Sequence, residues 1–158
     1  MKHFEEIINS EAAKFYLDPQ LVTAIIMKES SGNPFVCRYE PKWKYAFECK
    51  GFAYILGYGC TEETERLGQM TSWGLMQVMG TVARELGFRG WFSQLCDPTI
   101  GINYGCKKLR KIADRYASTD DIISAYNAGS AIKNASGFYS NQSYVDEVFK
   151  NLRSIKSL

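Results

Sequence analysis

One stretch bounded by two punctuation marks constrains this chain more than anything else in it. Asp18-Pro19 is a helix start: the Asp side chain can accept from free N–H groups of the first turn, and Pro suits the first helical position. Ser31-Gly32-Asn33-Pro34 is a stop, because Gly ends helices and Pro cannot continue them. Between them lie Leu21, Val22, Ile25, Ile26 and Glu29. On a helix, positions 22, 25, 26 and 29 share one face. Three are aliphatic and the fourth is a carboxyl. A carboxyl on an apolar face is desolvated, which favours its protonated form. It also falls in the last turn, where the helix dipole disfavours negative charge. Both effects raise its pKa, as a general acid near neutral pH requires. The same spacing also fits a Glu at a helix end that swings out to water.

The rest reads as helices joined by loops, by the same periodicity. A first helix is expected over 3–16, with Phe4, Ile7, Ile8 and Phe15 inward. Helical signal returns from Trp73 to Leu86 and ends at Gly87. A helix over about 98–116 follows, then one capped by Thr119-Asp120-Asp121 and ended by Gly129. A last helix covers about 142–155, with Tyr144, Val145, Val148, Phe149 and Leu152 inward. Residues 35–70 break the pattern. They are rich in Tyr, Phe, Gly and Cys, with no helical period, and read as irregular with a short β-hairpin between Arg38 and Gly59. The expectation is one mainly α domain over 1–158, with six or so helices and at most a small β-hairpin within 35–70.

Composition excludes several classes. With 46% hydrophobic and 23% charged residues, the 158-residue chain is neither a disordered tail nor a fibre. A net charge of +2 is too weak to indicate a nucleic-acid partner. The longest apolar runs, such as Ala24-Ile25-Ile26-Met27, are too short for a transmembrane segment. The start, Met1-Lys2-His3-Phe4-Glu5-Glu6, has no apolar core and does not read as a signal peptide. The five cysteines fit no zinc spacing and read as reduced, partly buried thiols, with a disulfide left open. The single His3 sits at a fraying end, so no metal site is expected. Nine Phe, ten Tyr and three Trp are more than a core needs, and some are expected to line a groove.

Two further segments carry polar groups among apolar ones. In Ser72-Trp73-Gly74-Leu75-Met76-Gln77-Val78-Met79, the Gly suggests close backbone approach and the Gln one directed amide. An ordinary buried helix with a surface Gln fits as well. In Ser124-Ala125-Tyr126-Asn127-Ala128-Gly129, a Tyr-Asn pair near a helix end can place a phenol and an amide in a cleft. A plain Gly-capped helix end fits as well.

Taken in order, Glu29-Ser30-Ser31-Gly32-Asn33-Pro34, Gly74-Leu75-Met76-Gln77 and Ala125-Tyr126-Asn127-Ala128-Gly129 resemble the soluble lytic transglycosylases and goose-type lysozymes, the family 23 glycoside hydrolases. Tyr144-Val145 is a weaker fourth match, and the resemblance spans about residues 18–150. It implies a lysozyme-like helical fold and cleavage of the β-1,4 bond between N-acetylmuramic acid and N-acetylglucosamine in peptidoglycan glycan strands, without metal or cofactor. The family's essential carboxyl maps onto Glu29, acid first and base second, closing a 1,6-anhydro ring. Its substrate-contacting Gln maps onto Gln77 and its groove-lining Met onto Met79. The Tyr that points at the carboxyl maps onto Tyr126, supported by Asn127, and Tyr144 is a further groove residue. Ser30 is expected to support the site.

Departures from the family pattern qualify these expectations. The segment before Gly74 is long, and its Arg38-Tyr39-Glu40-Pro41 looks like a variant of phage-related members. Among its acids, Glu40, Glu48, Glu62, Glu63 and Glu65, Glu40 is the best candidate for a second carboxylate. A muramidase that hydrolyses with water would place such a group about 6.5–9.5 Å from Glu29. Solvated acids or ion pairs are the plainer account. Gly80 stands where the family usually has Pro, and Ser140 and Asn141 stand where many members have Glu-Thr. A catalytically dead cell-wall sugar-binding module is the alternative from another class, which the retention of Glu29 disfavours. A monomer acting on the cell wall is expected, released by phage lysis or carried on a virion or secretion apparatus.

Overall fold

The computed structural model describes residues 2–156. After a 3₁₀ turn over Lys2–Phe4 comes α1, Glu5–Lys14, and then α2, Pro19–Ser30. The start of α2 follows the sequence logic: the Asp18 side chain accepts from the Gln20 N–H at 2.8 Å, with Pro in the first turn. The stop differs in one detail. Ser31 takes the left-handed conformation first, at φ 52°, with Gly32 following at φ 80°.

Residues 35–70 correct the sequence expectation most. They hold β1, Cys37–Tyr39, and two helices, α3, Cys49–Leu56, and α4, Glu62–Gln69. The period of α4 escapes notice because the residues it buries are Glu65, Gly68 and Gln69, not aliphatics. Thr61 caps it, its side chain accepting from the Thr64 N–H at 3.0 Å. There is no hairpin between Arg38 and Gly59. Instead β1 pairs antiparallel with β2, Thr71–Trp73, which pairs with β3, Val78–Met79, and Arg38 faces Ser72 in the register.

The run from Trp73 to Leu86 is likewise not one helix. It is the end of β2, a turn over residues 74–77, β3 and a short α5, Gly80–Glu85. Gly74 explains the turn: its φ is +70°, and a Cβ there would lie 2.2 Å from the Leu95 carbonyl oxygen. A Cβ on Gly80 would meet the Gly68 carbonyl oxygen at 2.1 Å, so α4 and α5 touch backbone to backbone where the family pattern has Pro.

The remaining helices stand near their expected bounds: α6, Pro98–Ala113, α7, Thr119–Ala128, and α8, Gln142–Lys156. Ser118, one residue before the expected cap, holds the start of α7 by accepting from the Asp121 N–H. The described residues therefore form a mainly α, lysozyme-like fold of eight α-helices, more than expected, and one small sheet. Val22, Ala24, Ile25 and Ile26 of α2 are wholly buried, as are Ile102 and Leu109 of α6, Ile123 of α7 and Val148 of α8. Each such Val, Leu or Ile is worth about 1.5–3 kcal/mol of burial. This core fixes the C-terminal end of α2 against α8.

The α3–α5 side is held differently. The Glu65 and Arg84 side chains are both fully buried, joined by Nε–Oε1 and Nη2–Oε2 bonds of 2.9 Å each. Arg84 Nη1 donates to the Phe88 and Gly90 carbonyls, and Gln69 donates to Glu65. The guanidinium lies 4.1 Å from the Phe92 ring centroid. A buried pair persists only when its remaining donors and acceptors are matched in this way.

Candidate active site

Glu29 ends α2 half-buried, on the face formed by Val22, Ile25 and Ile26. The apolar spacing positions it, and Ser30 locks the position by donating from Oγ to the Leu75 carbonyl at 2.8 Å. One carboxylate oxygen, Oε1, accepts a 2.7 Å bond from the Tyr144 hydroxyl in the first turn of α8. Burial raises the Glu29 pKa above its ordinary value of 4.5. The Tyr144 hydrogen bond and the positive charges of Lys108, Arg38 and Lys28 pull in the opposite direction but do not cancel it.

A cavity of about 320 Å³ opens in front of this carboxyl. Its helical wall presents Glu29, Lys108, Tyr126 and Asn127. The opposite wall, from β1 to β3 and the loop after β1, presents Arg38, Glu40, Lys42, Trp43, Ser72, Gln77 and Met79. Among the described residues, no three His, Cys, Asp or Glu side chains gather into a metal-binding group. The five cysteines are all free thiols, with Cys37 exposed and Cys106 buried.

The structure brings the expected residues together but redistributes their tasks. The phenol that reaches Glu29 is that of Tyr144, not Tyr126. Tyr126 is buried and donates to the Met76 carbonyl at 2.8 Å, which pins the turn between β2 and β3 to α7. Gln77 spends its amide group on the Val36 and Gly74 carbonyls, at 2.9 Å each, so only its Oε1 is left for a substrate. The Met79 sulfur accepts from Ser72 Oγ at 3.0 Å. Asn127 is exposed, and its Oδ1 accepts from Asn141 Nδ2 at 3.0 Å. Asn141 also exchanges bonds with Ser124, so it clips α8 to α7. Glu40 lies in the cavity, paired with Arg38. Of the other acids in 35–70, Glu63 pairs with Arg66 and Glu65 with Arg84, away from the cavity.

Sequence reasoning missed Lys108. Its Nζ sits 3.8 Å from the Tyr126 ring centroid, inside the cavity, and burial lowers its pKa to about 8. The signal was available. Gly101, Gly105, Lys108 and Ile112 recur at helical spacing, so a cation stands on the inward stripe of α6 as a carboxyl stands on that of α2.

A family model described as "Transglycosylase SLT domain" matches residues 6–147. The chain belongs to this transglycosylase family. The transglycosylase of Enterobacteria phage PRD1 is 30% identical over 147 residues, a match covering 93% of this chain and 42% of that protein. The chain thus spans less than half the length of that relative. No solved structure matches the chain. Among the described residues of this SLT domain, no helix is long and apolar enough to cross a membrane.

Proposed function

We propose that this domain is a peptidoglycan lytic transglycosylase with Glu29 as the single acid and base. Its substrate is the β-1,4 bond between N-acetylmuramic acid and N-acetylglucosamine. The protonated Glu29 gives its proton to the bridging oxygen as the bond from that oxygen to muramyl C1 breaks. The sugar left behind is oxocarbenium-like. The Glu29 carboxylate then takes the proton of the muramyl 6-hydroxyl, whose oxygen bonds to C1. A 1,6-anhydro ring closes, no water is consumed, and Glu29 ends protonated as it began. The substrate's own 2-acetamido group assists in this family, so no second carboxylate is required. The domain acts on the cell wall as a monomer, with Gln77, Met79, Tyr126, Asn127 and Tyr144 shaping the groove.

The observation that carries this reading is the seat of Glu29. Apolar neighbours hold its proton on, and Tyr144 occupies Oε1, leaving Oε2 to carry the proton. Membership of the transglycosylase family supports it.

Glu40 favours a second reading, hydrolysis by a muramidase, because it shares the cavity. Its commitment to Arg38 argues for a structural task instead. Mass spectrometry of fragments from purified sacculi separates the two. Anhydromuramyl ends that persist in Glu40→Gln and vanish in Glu29→Gln are expected. Reducing ends that require Glu40 would establish hydrolysis. Equal wall clearing by Glu29→Gln and wild type would remove Glu29 from the chemistry and revive the dead-module alternative.

A further inference from the structure

We infer that Lys108 is a positioning cation for the reaction: its ammonium group balances the carboxylate that Glu29 becomes between its two proton transfers. The inference rests on the reading of Glu29 as acid and base. Lys108 and Glu29 line the same cavity from different helices, α6 and α2. The ammonium has a fixed place, 3.8 Å from the centroid of Tyr126, a ring itself tethered through its hydroxyl to the Met76 carbonyl.

The other charges around Glu29 are spoken for or solvated. On α2, Lys28 is paired with Glu147 of α8. On the strand wall, Arg38 is paired with Glu40, and Lys42 is exposed. Tyr144 gives its hydroxyl to Glu29, and Tyr126 gives its own to the backbone. Near Lys108 on α6, Lys107 lies over the Tyr104 ring and Cys106 is a buried thiol. Glu11 of α1, which faces that thiol, is engaged by Lys14 and Asn103. Among the described residues, Lys108 has no carboxylate within ion-pair distance. Among the described residues it is the half-buried cation of the cavity, and of the cavity's two carboxyls Glu40 is engaged by Arg38, which leaves Glu29 in its ionised state as the counter-charge.

Consider the cycle. With Glu29 protonated, the pair carries one positive charge in a half-buried site. Once Glu29 has donated its proton, the pair is neutral. A low-dielectric setting enlarges this difference, so the ammonium favours the state formed during bond cleavage. Lys108 neither gains nor loses a proton in the sequence. Burial weakens its hold on that proton, and the ionised Glu29 strengthens it at the step where it is needed.

Three substitutions and two titrations test this. In Lys108→Met, the ¹³C NMR midpoint of the Glu29 carboxyl in the ligand-free protein should rise by about one pH unit, since an opposite charge has been removed. The alkaline limb of kcat on sacculi should move up with it, and kcat below that limb should fall about tenfold. Lys108→Arg should restore the midpoint. Reciprocally, in Glu29→Gln the Lys108 midpoint should fall below its wild-type value near 8. A Glu29 midpoint unchanged in Lys108→Met, or an unchanged Lys108 midpoint in Glu29→Gln, overturns the inference. So does a shifted midpoint with kcat intact. These titrations need no turnover, so their failure is distinct from failure of the acid–base reading, which shows as residual activity in Glu29→Gln.

Discussion

The two walls of the cavity are built on opposite principles. The helical wall sets a few polar side chains, Glu29, Tyr144, Tyr126 and Lys108, into an aliphatic core. The strand wall rests on a polar core. Glu65 and Arg84 pair in full burial, and Gln69 both accepts from the Phe47 N–H and donates to the Phe47 carbonyl. Thr81 donates to the Gln69 carbonyl, and Gln77 closes the turn that carries it. In the first wall desolvation tunes a proton. In the second, hydrogen bonds fix backbone shape, and a single deletion leaves a buried group unpaired. On the proposed reading the first wall governs chemistry, and the second holds the shape of the groove.

The largest expected effect lies in the helical wall. Glu29→Gln should lower wall-clearing activity about a thousandfold, within the usual range for a lost general acid. It should not lower stability. A carboxyl whose folded pKa is raised contributes stability below its unfolded pKa and loses it as pH rises through the folded value. At pH above the Glu29 midpoint the neutral Gln variant should melt at the same temperature as wild type or higher, as calorimetry reads. A large drop in melting temperature would mean that the two walls do not differ in this way.

In the strand wall, Arg84→Met alone should cost about 3–5 kcal/mol in urea unfolding, because Glu65 is left buried and unpaired. Joining it with Glu65→Leu should recover most of that loss. A double variant no better than the single would show that the pair is not the organising contact.

Smaller effects sharpen the contrast. Tyr144→Phe removes the bond that lowers the Glu29 pKa, so the alkaline limb of activity should move to higher pH while kcat falls several-fold. Gln77→Ala removes the side-chain bonds to the Val36 and Gly74 carbonyls, which keep the Gly74 and Gln77 backbone N–H groups as donors, and the two lost bonds should cost about 1–3 kcal/mol of stability along with activity, since its task is partly structural. Met79→Leu keeps the volume and should change activity the least, by less than about 1.5 kcal/mol in effective binding.

The same contrast explains what the sequence made legible. The helical wall was readable because aliphatic periodicity marks its helices and a charge on an apolar stripe stands out. Glu29 was found that way, and Lys108 obeys the same rule. The α4 helix was not readable, because its inward stripe is Glu65, Gly68 and Gln69, which looks like a solvated face. Trp73 to Leu86 was misread because Gly74 and Gln77 take positive φ and split an apolar run into two strands and a short helix. The exchange of Tyr126 for Tyr144 at Glu29 was beyond periodicity. Which of two buried phenols reaches a carboxyl depends on how α7 and α8 pack, and neither helix's own pattern states it.

The central claim is that Glu29 holds its proton because its surroundings are apolar. A pH titration of the Glu29 carboxyl by ¹³C NMR tests it most directly. A midpoint clearly above 4.5, rising further in Tyr144→Phe, is the predicted result. A midpoint at or below 4.5 would contradict it.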